Sequence, residues 1–412
     1  MKVGFFTDTY FPQVSGVATS IKTLKEELEK AGHRVYIFTT TDPNAKYGEE
    51  GIVRMPSVPF VSFKDRRVVV RGMWYAYLMA RELQLDLIHT HTEFGAGMLG
   101  KMVGKKLRIP VIHTYHTMYE DYLHYIAKGK VVRQTHVKYF SRFFVNHTTG
   151  VVCPSERVIA TLRNYGVTSP MRVIPTGIEL DKFVRPDITQ EKKHEVRQSL
   201  GITDEQLMIL SLSRISYEKN IHALIEGFQE VVQRVPHARL VIVGKGPYLA
   251  ELKKLVQRLA LEQVVYFTGE VANDQVAYYY HAADYFVSAS SSETQGLTYT
   301  EAMAAGTQLV VKGNDYLENL IDDPALGVTY QKDAEFSACL VQFIAAKTPV
   351  NSLVLERKMA EISAERFGVT MLAFYQEMLS KYSQIEAAKT HEPSMKKIKV
   401  RFSRLKKPSI RN

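Results

Sequence analysis

Short apolar runs alternate with amphipathic stretches along this chain, and the alternation occurs twice. Residues 2–7 have the pattern of a buried strand and run into a loop, 8–16, that contains Pro12, Ser15 and Gly16. Residues 17–31 place Val17, Ile21, Leu24 and Leu28 at helical spacing, Gly32 stops them, and 34–39 predicts the next strand. Further buried strands are predicted at 86–89, 110–113, 150–152 and 172–174. A second series runs from a strand at 207–212 through a helix at 220–235 to strands at 239–243, 264–267, 284–287 and 308–311. Parallel strands need a crossover between them, and a helix is the usual one. The alternation therefore predicts an α/β fold of two Rossmann-like domains facing a central cleft, with ligands at the carboxyl ends of the strands. A chain of 412 residues is long enough for both. The expected division is 1–180, 181–366, a helix at 367–390 and a basic tail at 391–412, with the charged, poorly patterned 181–205 as linker.

Composition narrows the function classes. No stretch approaches the roughly 18 consecutive apolar residues of a membrane span. The opening MKVGFFTDTY reads as a strand and not a signal peptide, because Asp8 follows its short apolar run at once. Cys153 and Cys339 are the two cysteines, both in apolar contexts, which suits a reducing cytoplasm and argues against a disulfide framework. Charge is unevenly spread. Residues 1–180 carry 24 Lys/Arg against 15 Asp/Glu, 181–390 carry 21 against 27, and 391–412 carry 8 against 1. The basic first part includes KDRRVVVRGMWYAYLMARE at 64–82, and the tail interleaves bases with Ile398, Val400, Phe402 and Leu405. Bases mixed with aromatic and apolar residues predict an anionic membrane surface as partner in preference to nucleic acid.

Residues 290–306, SSSETQGLTYTEAMAAG, hold the densest chemistry. They join a strand end to a turn at Gly296 and a helix at 297–305. The first N–H groups of a helix lack partners and face an anion favourably. Glu293 and Glu301 would repel that anion unless they bind something else, and sugar hydroxyls are the obvious candidates. Arg214 and Lys219 lie in another strand-to-helix loop and would neutralise a diphosphate, Arg as a planar fork and Lys as a point charge. The Ser15–Gly16 turn opens the first helix and would accept a phosphate or an acceptor hydroxyl. Gly244 and Gly246 either shape a turn or approach a nucleotide. His89, His91, His113 and His116 sit at strand ends, where hydrogen bonding to substrate or backbone is favoured over a zinc site. Glu120 and Asp121 are an acceptor base or a solvated pair. The chain contains no Asp-x-Asp.

SLSRISYEKN, VIVGKGP, YFTGEV and SSSETQGLTYTEAMAAG, in this order and spacing, resemble the retaining glycosyltransferases of family 4, which have the GT-B fold. The similarity runs from residue 1 to about residue 385. ETQGLTYTEAMA, with TDTYFPQVSGV and YHTMYEDYLHY, is most similar to the bacterial branch that glucosylates diacylglycerol. The resemblance implies a metal-independent hexosyltransferase that uses UDP-glucose and diacylglycerol at the cytoplasmic face of a membrane. It also implies a C-terminal helix that returns to the first domain. Arg214 and Lys219 would hold the diphosphate, Glu293 the hexose hydroxyls and Glu301 the ribose. The backbone at Thr294, Gln295, Gly296 and Leu297 would meet phosphate or sugar, and Gly244 with the Gly269-Glu270-Val271 turn would lie near the base. Gln295 stands where the family often has Phe. Gly16 would approach the phosphate or the acceptor, and His116 the donor sugar. Ser15, Tyr119, Glu120 and Asp121 are the remaining acceptor candidates. Other acceptors of the same class are a phosphoinositide, a lipid-linked sugar, a polysaccharide or a protein, and a nucleotide-sugar epimerase shares the fold.

Overall fold

A computed structural model describes residues 1–391 apart from 14, 47, 61–62, 71 and 121–132. Asp121 and the tail from 392 onward lie outside the described residues.

Nine strands belong to the first part of the chain: β1 Lys2–Phe6, β2 Arg34–Thr40, β3 Ile52–Met55, β4 Ser57–Phe60, β5 Phe63–Val69, β6 Leu87–Thr90, β7 Val111–Thr114, β8 Gly150–Cys153 and β9 Met171–Val173. Seven form a parallel sheet in the order β3-β2-β1-β6-β7-β8-β9, and β4 pairs with β5 as an antiparallel hairpin. Six strands form the second parallel sheet: β10 Leu207–Leu212, β11 Ala238–Val243, β12 Val265–Gly269, β13 Tyr285–Ser288, β14 Gln308–Lys312 and β15 Gly327–Tyr330. Their order is β12-β11-β10-β13-β14-β15.

Both sheets reverse direction of strand order beside their first strand, between β1 and β6 and between β10 and β13. Loops leaving the two strands at such a point diverge, and the crevice between them is where ligands bind in open α/β sheets. Four loops are singled out in this way: those after β1, β6, β10 and β13.

The near-continuous apolar runs of the strands follow from burial on both faces. In β10, Ile209 faces a layer containing Leu224 and Phe228, while Met208 and Leu210 face Tyr280 and Met303. In β1, Phe5 faces the helix Gly16–Lys30 and Phe6 faces the helix Gly95–Leu107. The first of these layers is completed from far away in sequence. Met371, Phe374, Tyr375 and Met378 of the helix Ala364–His391 pack into it, and Gly368 lets that helix approach Glu27 closely. The C-terminal helix thus returns to the first domain. The two chain crossings touch: Ile178 bridges Ser363, and Gly177 has no room for a Cβ beside the Ser363 carbonyl. Among the described residues no helix is long and apolar enough to cross a membrane.

The structure corrects the linker. Residues 181–205 contain the helix Gln190–Ser199, capped by the Thr189 side chain on the Lys192 N–H. It is held to the second domain by a buried cation together with Val196 and Leu200, which pack on the core. Arg197 donates to the Ala282 carbonyl at 2.9 Å, the Gln206 carbonyl at 2.9 Å and Asp284 Oδ2 at 2.7 Å. A segment anchored through guanidinium hydrogen bonds has the composition of a linker without being one. Among the strands, β3, β4, β5 and β15 also lie outside the sequence expectation.

Candidate functional site

β10 and β13 are neighbours, with Ile209 opposite Tyr285 and Leu210 opposite Phe286. Their carboxyl ends therefore deliver residues 213–220 and 289–296 side by side. Lys219 Nζ forms an ion pair with Glu293 Oε1, and Ser290 Oγ donates to the same oxygen at 3.2 Å. These side chains are 14% and 19% exposed, so the pair is poorly screened but still reachable from solvent. Asn220 takes a left-handed conformation at φ 55° and binds the Ala289 carbonyl at 3.2 Å, which ties the two loops together. Arg214 is solvent-exposed.

Gly244 and Gly246 turn out to shape the Arg214 loop. A Cβ on Gly244 would strike the Ser213 carbonyl, and one on Gly246 the Ile215 carbonyl. The Ile215 N–H bonds the Lys245 carbonyl at 2.9 Å across the same gap. Gly269 receives the Gly244 N–H on its carbonyl at 2.8 Å. Glu270 is exposed and paired with Lys245, and Val271 is half-buried.

Gly296 precedes the helix Leu297–Ala304 at φ +82°, and a side chain there would collide with the Tyr299 ring. Glu301 accepts a hydrogen bond from the Tyr280 hydroxyl at 2.9 Å. Burial pushes its pKa up to about 7, partly offset by that bond and by Lys182. Near neutral pH its protonated and ionised forms are therefore both populated.

The first domain contributes differently. Ser15 caps the helix Gly16–Lys30 by accepting from the Ala18 N–H at 3.1 Å, and the space where a Gly16 Cβ would point is open. Four histidines cluster under the carboxyl ends of β6 and β7, but they bind one another and buried hydroxyls. His89 meets Tyr375 at 2.5 Å and Thr114 at 2.7 Å, and His113 Nε2 meets Glu93 Oε1 at 3.1 Å. His91 Nδ1 lies 3.1 Å from His116 Nε2. Burial, with the neighbouring His113, pushes the His116 pKa down to about 3, so its imidazole is neutral at working pH. Among the described residues no group of three or more His, Cys, Asp or Glu is arranged to hold a metal ion. Tyr119 turns inward and donates to Glu93, and burial raises its pKa. Glu120 is half-buried.

Asp8 and Glu93 are carboxylates that sequence reasoning missed. Asp8 is buried at the end of β1 and accepts from the Val69 N–H at 3.0 Å, the Ala96 N–H at 3.0 Å and Thr92 Oγ1 at 2.7 Å. It thereby fixes the loop after β6 and the start of the helix Gly95–Leu107. An acid directly after a strand, in TDT, was the available signal.

The two halves meet at the Glu293 loop. Thr294 Oγ1 donates to the His116 carbonyl at 3.1 Å across 178 residues of sequence. Ser155 Oγ donates to the Thr294 carbonyl at 2.5 Å, and Arg157 Nη1 to the carbonyls of Ser291 at 2.6 Å and Glu293 at 3.2 Å. The Gln295 side chain turns away towards the backbone of Thr176. The His116 backbone is thus tied to the loop that carries Glu293, and Glu293 to Lys219.

Two family models match the chain. Glycosyltransferase Family 4 covers residues 14–182, and Glycosyl transferases group 1 covers 192–335. Alpha-monoglucosyldiacylglycerol synthase of Streptococcus pneumoniae is 52% identical over 376 residues, 91% of this chain and 85% of that protein. The Acholeplasma laidlawii protein of the same name is 33% identical over 383 residues, 90% of this chain and 95% of its own. Among solved structures, Anabaena HepE in complex with UDP has a TM-score of 0.73 at 17% identity, covering 92% of this chain and 100% of that one, which is a likeness of fold.

Proposed function

The chain belongs to glycosyltransferase family 4, and from that premise we infer that it moves glucose from UDP-glucose to the free hydroxyl of diacylglycerol, giving alpha-monoglucosyldiacylglycerol. The observation that carries this reading is the near-full-length likeness to the streptococcal synthase. The crevice supplies suitable groups. Breaking the sugar–phosphate bond places negative charge on the leaving diphosphate and positive charge on the ring. Lys219, Arg214 and the first N–H groups of the helix Leu297–Ala304 stabilise the former, and such preorganised charge is usually the largest catalytic contribution. Glu293 accepts from hexose hydroxyls while its ion pair with Lys219 holds it in place. Glu301 takes the ribose. His116, neutral, offers a hydrogen bond beside the sugar without repelling the developing cation. The acceptor attacks the face that the diphosphate leaves, and a phosphate oxygen takes its proton. Neither a metal ion nor another cofactor takes part.

Diacylglycerol stays in the bilayer, so the enzyme must reach it. The helix Met73–Glu82 presents Trp74 at 62% exposure, the helix Gln134–Val145 presents Tyr139 at 66% and Phe143 at 57%, and the helix Gly95–Leu107 carries Lys101 and Lys106. Lys106 lies 5.3 Å from the Trp74 ring, and Lys101 5.9 Å from that of Phe143. Exposed aromatic rings alternating with bases fit the interface of an anionic leaflet, here the cytoplasmic one. The direct experiment offers anionic vesicles containing diacylglycerol with each sugar nucleotide in turn, with and without a chelator, and reads the lipids by mass spectrometry. A monohexosyl diacylglycerol formed from UDP-glucose in both conditions is expected. No glycolipid from any donor would overturn the assignment, and activity restored only by an added metal would overturn its metal-free chemistry.

A further inference from the structure

We propose that Gln295 is a positioning residue: it clasps the backbone of Thr176 and so fixes the donor loop against the first domain. The idea rests on the reading of Glu293 and His116 given above. Gln295 is 5% exposed. Its Oε1 accepts from the Thr176 N–H at 2.7 Å, and its Nε2 donates to the Thr176 carbonyl at 2.8 Å. A carboxamide carries both a donor and an acceptor while staying neutral, so it pairs with a peptide unit much as a neighbouring strand would. With both ends committed inside the protein, this amide is not a donor ligand.

Its location gives the clasp a consequence. Thr176 lies where the chain leaves the first domain, between Ile174, whose N–H binds the Cys153 carbonyl, and Ile178, which bridges Ser363. The Thr176 hydroxyl lies 2.8 Å from that of Ser20, on the helix that starts at Gly16. One connection therefore runs from Glu293 through Gln295 and Thr176 to the helix with open space at its start. The Thr294–His116 and Ser155–Thr294 bonds flank it. Gln295 sets the separation of Glu293 from His116, which transfer requires to be fixed when donor and acceptor meet.

Thr176 is itself buried, so removing the amide strands its N–H and carbonyl. The test uses the full chain with Gln295→Leu and Gln295→Glu. Three quantities are read: hydrogen exchange at the Thr176 amide, UDP affinity by calorimetry, and kcat on diacylglycerol vesicles across pH. For Gln295→Leu the Thr176 amide should exchange about tenfold faster and kcat fall about tenfold or more, with UDP affinity within about twofold. Gln295→Glu adds a readout that a merely structural role would not move. Its carboxylate lacks the donor, but the protonated acid has the amide's pattern. Burial raises the carboxyl pKa, and donation from the Thr176 N–H and the neighbouring Tyr316 hydroxyl offsets part of that rise. Relative to wild type, kcat of Gln295→Glu should recover as pH falls and Thr176 exchange should slow. Lost UDP affinity with unchanged Thr176 exchange in Gln295→Leu would overturn the proposal, as would a Gln295→Glu deficit equal at every pH. The exchange and UDP measurements need no acceptor. A wild-type protein that ignores diacylglycerol would thus sink the functional reading and leave the clasp to be judged by exchange.

Discussion

The two domains share a sheet architecture and differ in where they keep polarity. The second exposes its chemistry: Arg214 is open to solvent, and Lys219 pairs with Glu293 at the mouth of the crevice. The first buries His89, His91, His113, Asp8 and Glu93, each hydrogen-bonded to other protein groups, and exposes aromatic rings instead. Charge at the surface of a crevice suits a diphosphate, while a neutral interior behind an aromatic, basic face suits a ligand delivered from a bilayer. One fold used twice thus serves two phases, because loops and surfaces carry function and the sheet only places them.

The comparison can be broken first at the charged crevice. Lys219→Ala or Glu293→Ala should lower kcat about a thousandfold while leaving far-UV circular dichroism and Tm near wild type. Turnover within a few fold of wild type would remove either residue from the site. Next comes the membrane partner. The tail lies outside the described residues, but eight bases without an opposing acid beyond Glu392 predict a lipid contribution. Deleting 395–412 should weaken sedimentation with anionic vesicles at low salt, about tenfold or more, and the difference should shrink as salt rises. Unchanged sedimentation would leave lipid contact to the first domain alone. The smallest effect concerns Glu301. Its carboxyl ionises near 4.5 ordinarily and at about 7 in the folded chain. Between those values the folded protein keeps a proton that the unfolded chain has lost, so stability falls as pH rises through the window. Glu301→Gln should remove that fall, and Tm of the variant should gain on wild type by a few degrees from pH 5 to 8. Parallel Tm curves would show that Glu301 is not held protonated.

Much of this was legible in sequence because it is local. Strand runs, helix starts and the Glu293, Glu301, Arg214 and Lys219 loops all announce themselves within about ten residues. What escaped depends on distant partners. Thr176 offers Gln295 only its backbone, which has no side-chain signature, across 119 residues. Tyr119 reads as an acceptor candidate, and its bond to Glu93, 26 residues away, has no local signature. β15, GVTY, lacks the continuous apolar run that marks β8 and β13, strands of the same length, and it is recognised by its pairing with β14. The helix Gln190–Ser199 shows little apolar pattern, since Val196 is its only apolar residue and Arg197 anchors it through hydrogen bonds. The histidines showed as a cluster, but whether they faced a ligand or one another required the packing of Tyr375 from the C-terminal helix.

The division of labour between the domains is tested most directly by how the acceptor is presented. Trp74→Ala combined with Lys106→Ala alters the aromatic, basic face and leaves the crevice untouched. Initial rates would be compared for long-chain diacylglycerol in anionic vesicles and for a short-chain, water-dispersed diacylglycerol. The account predicts a loss of about tenfold on vesicles and little change on the dispersed acceptor. Equal rates to wild type on both, or an equal loss on both, would contradict it.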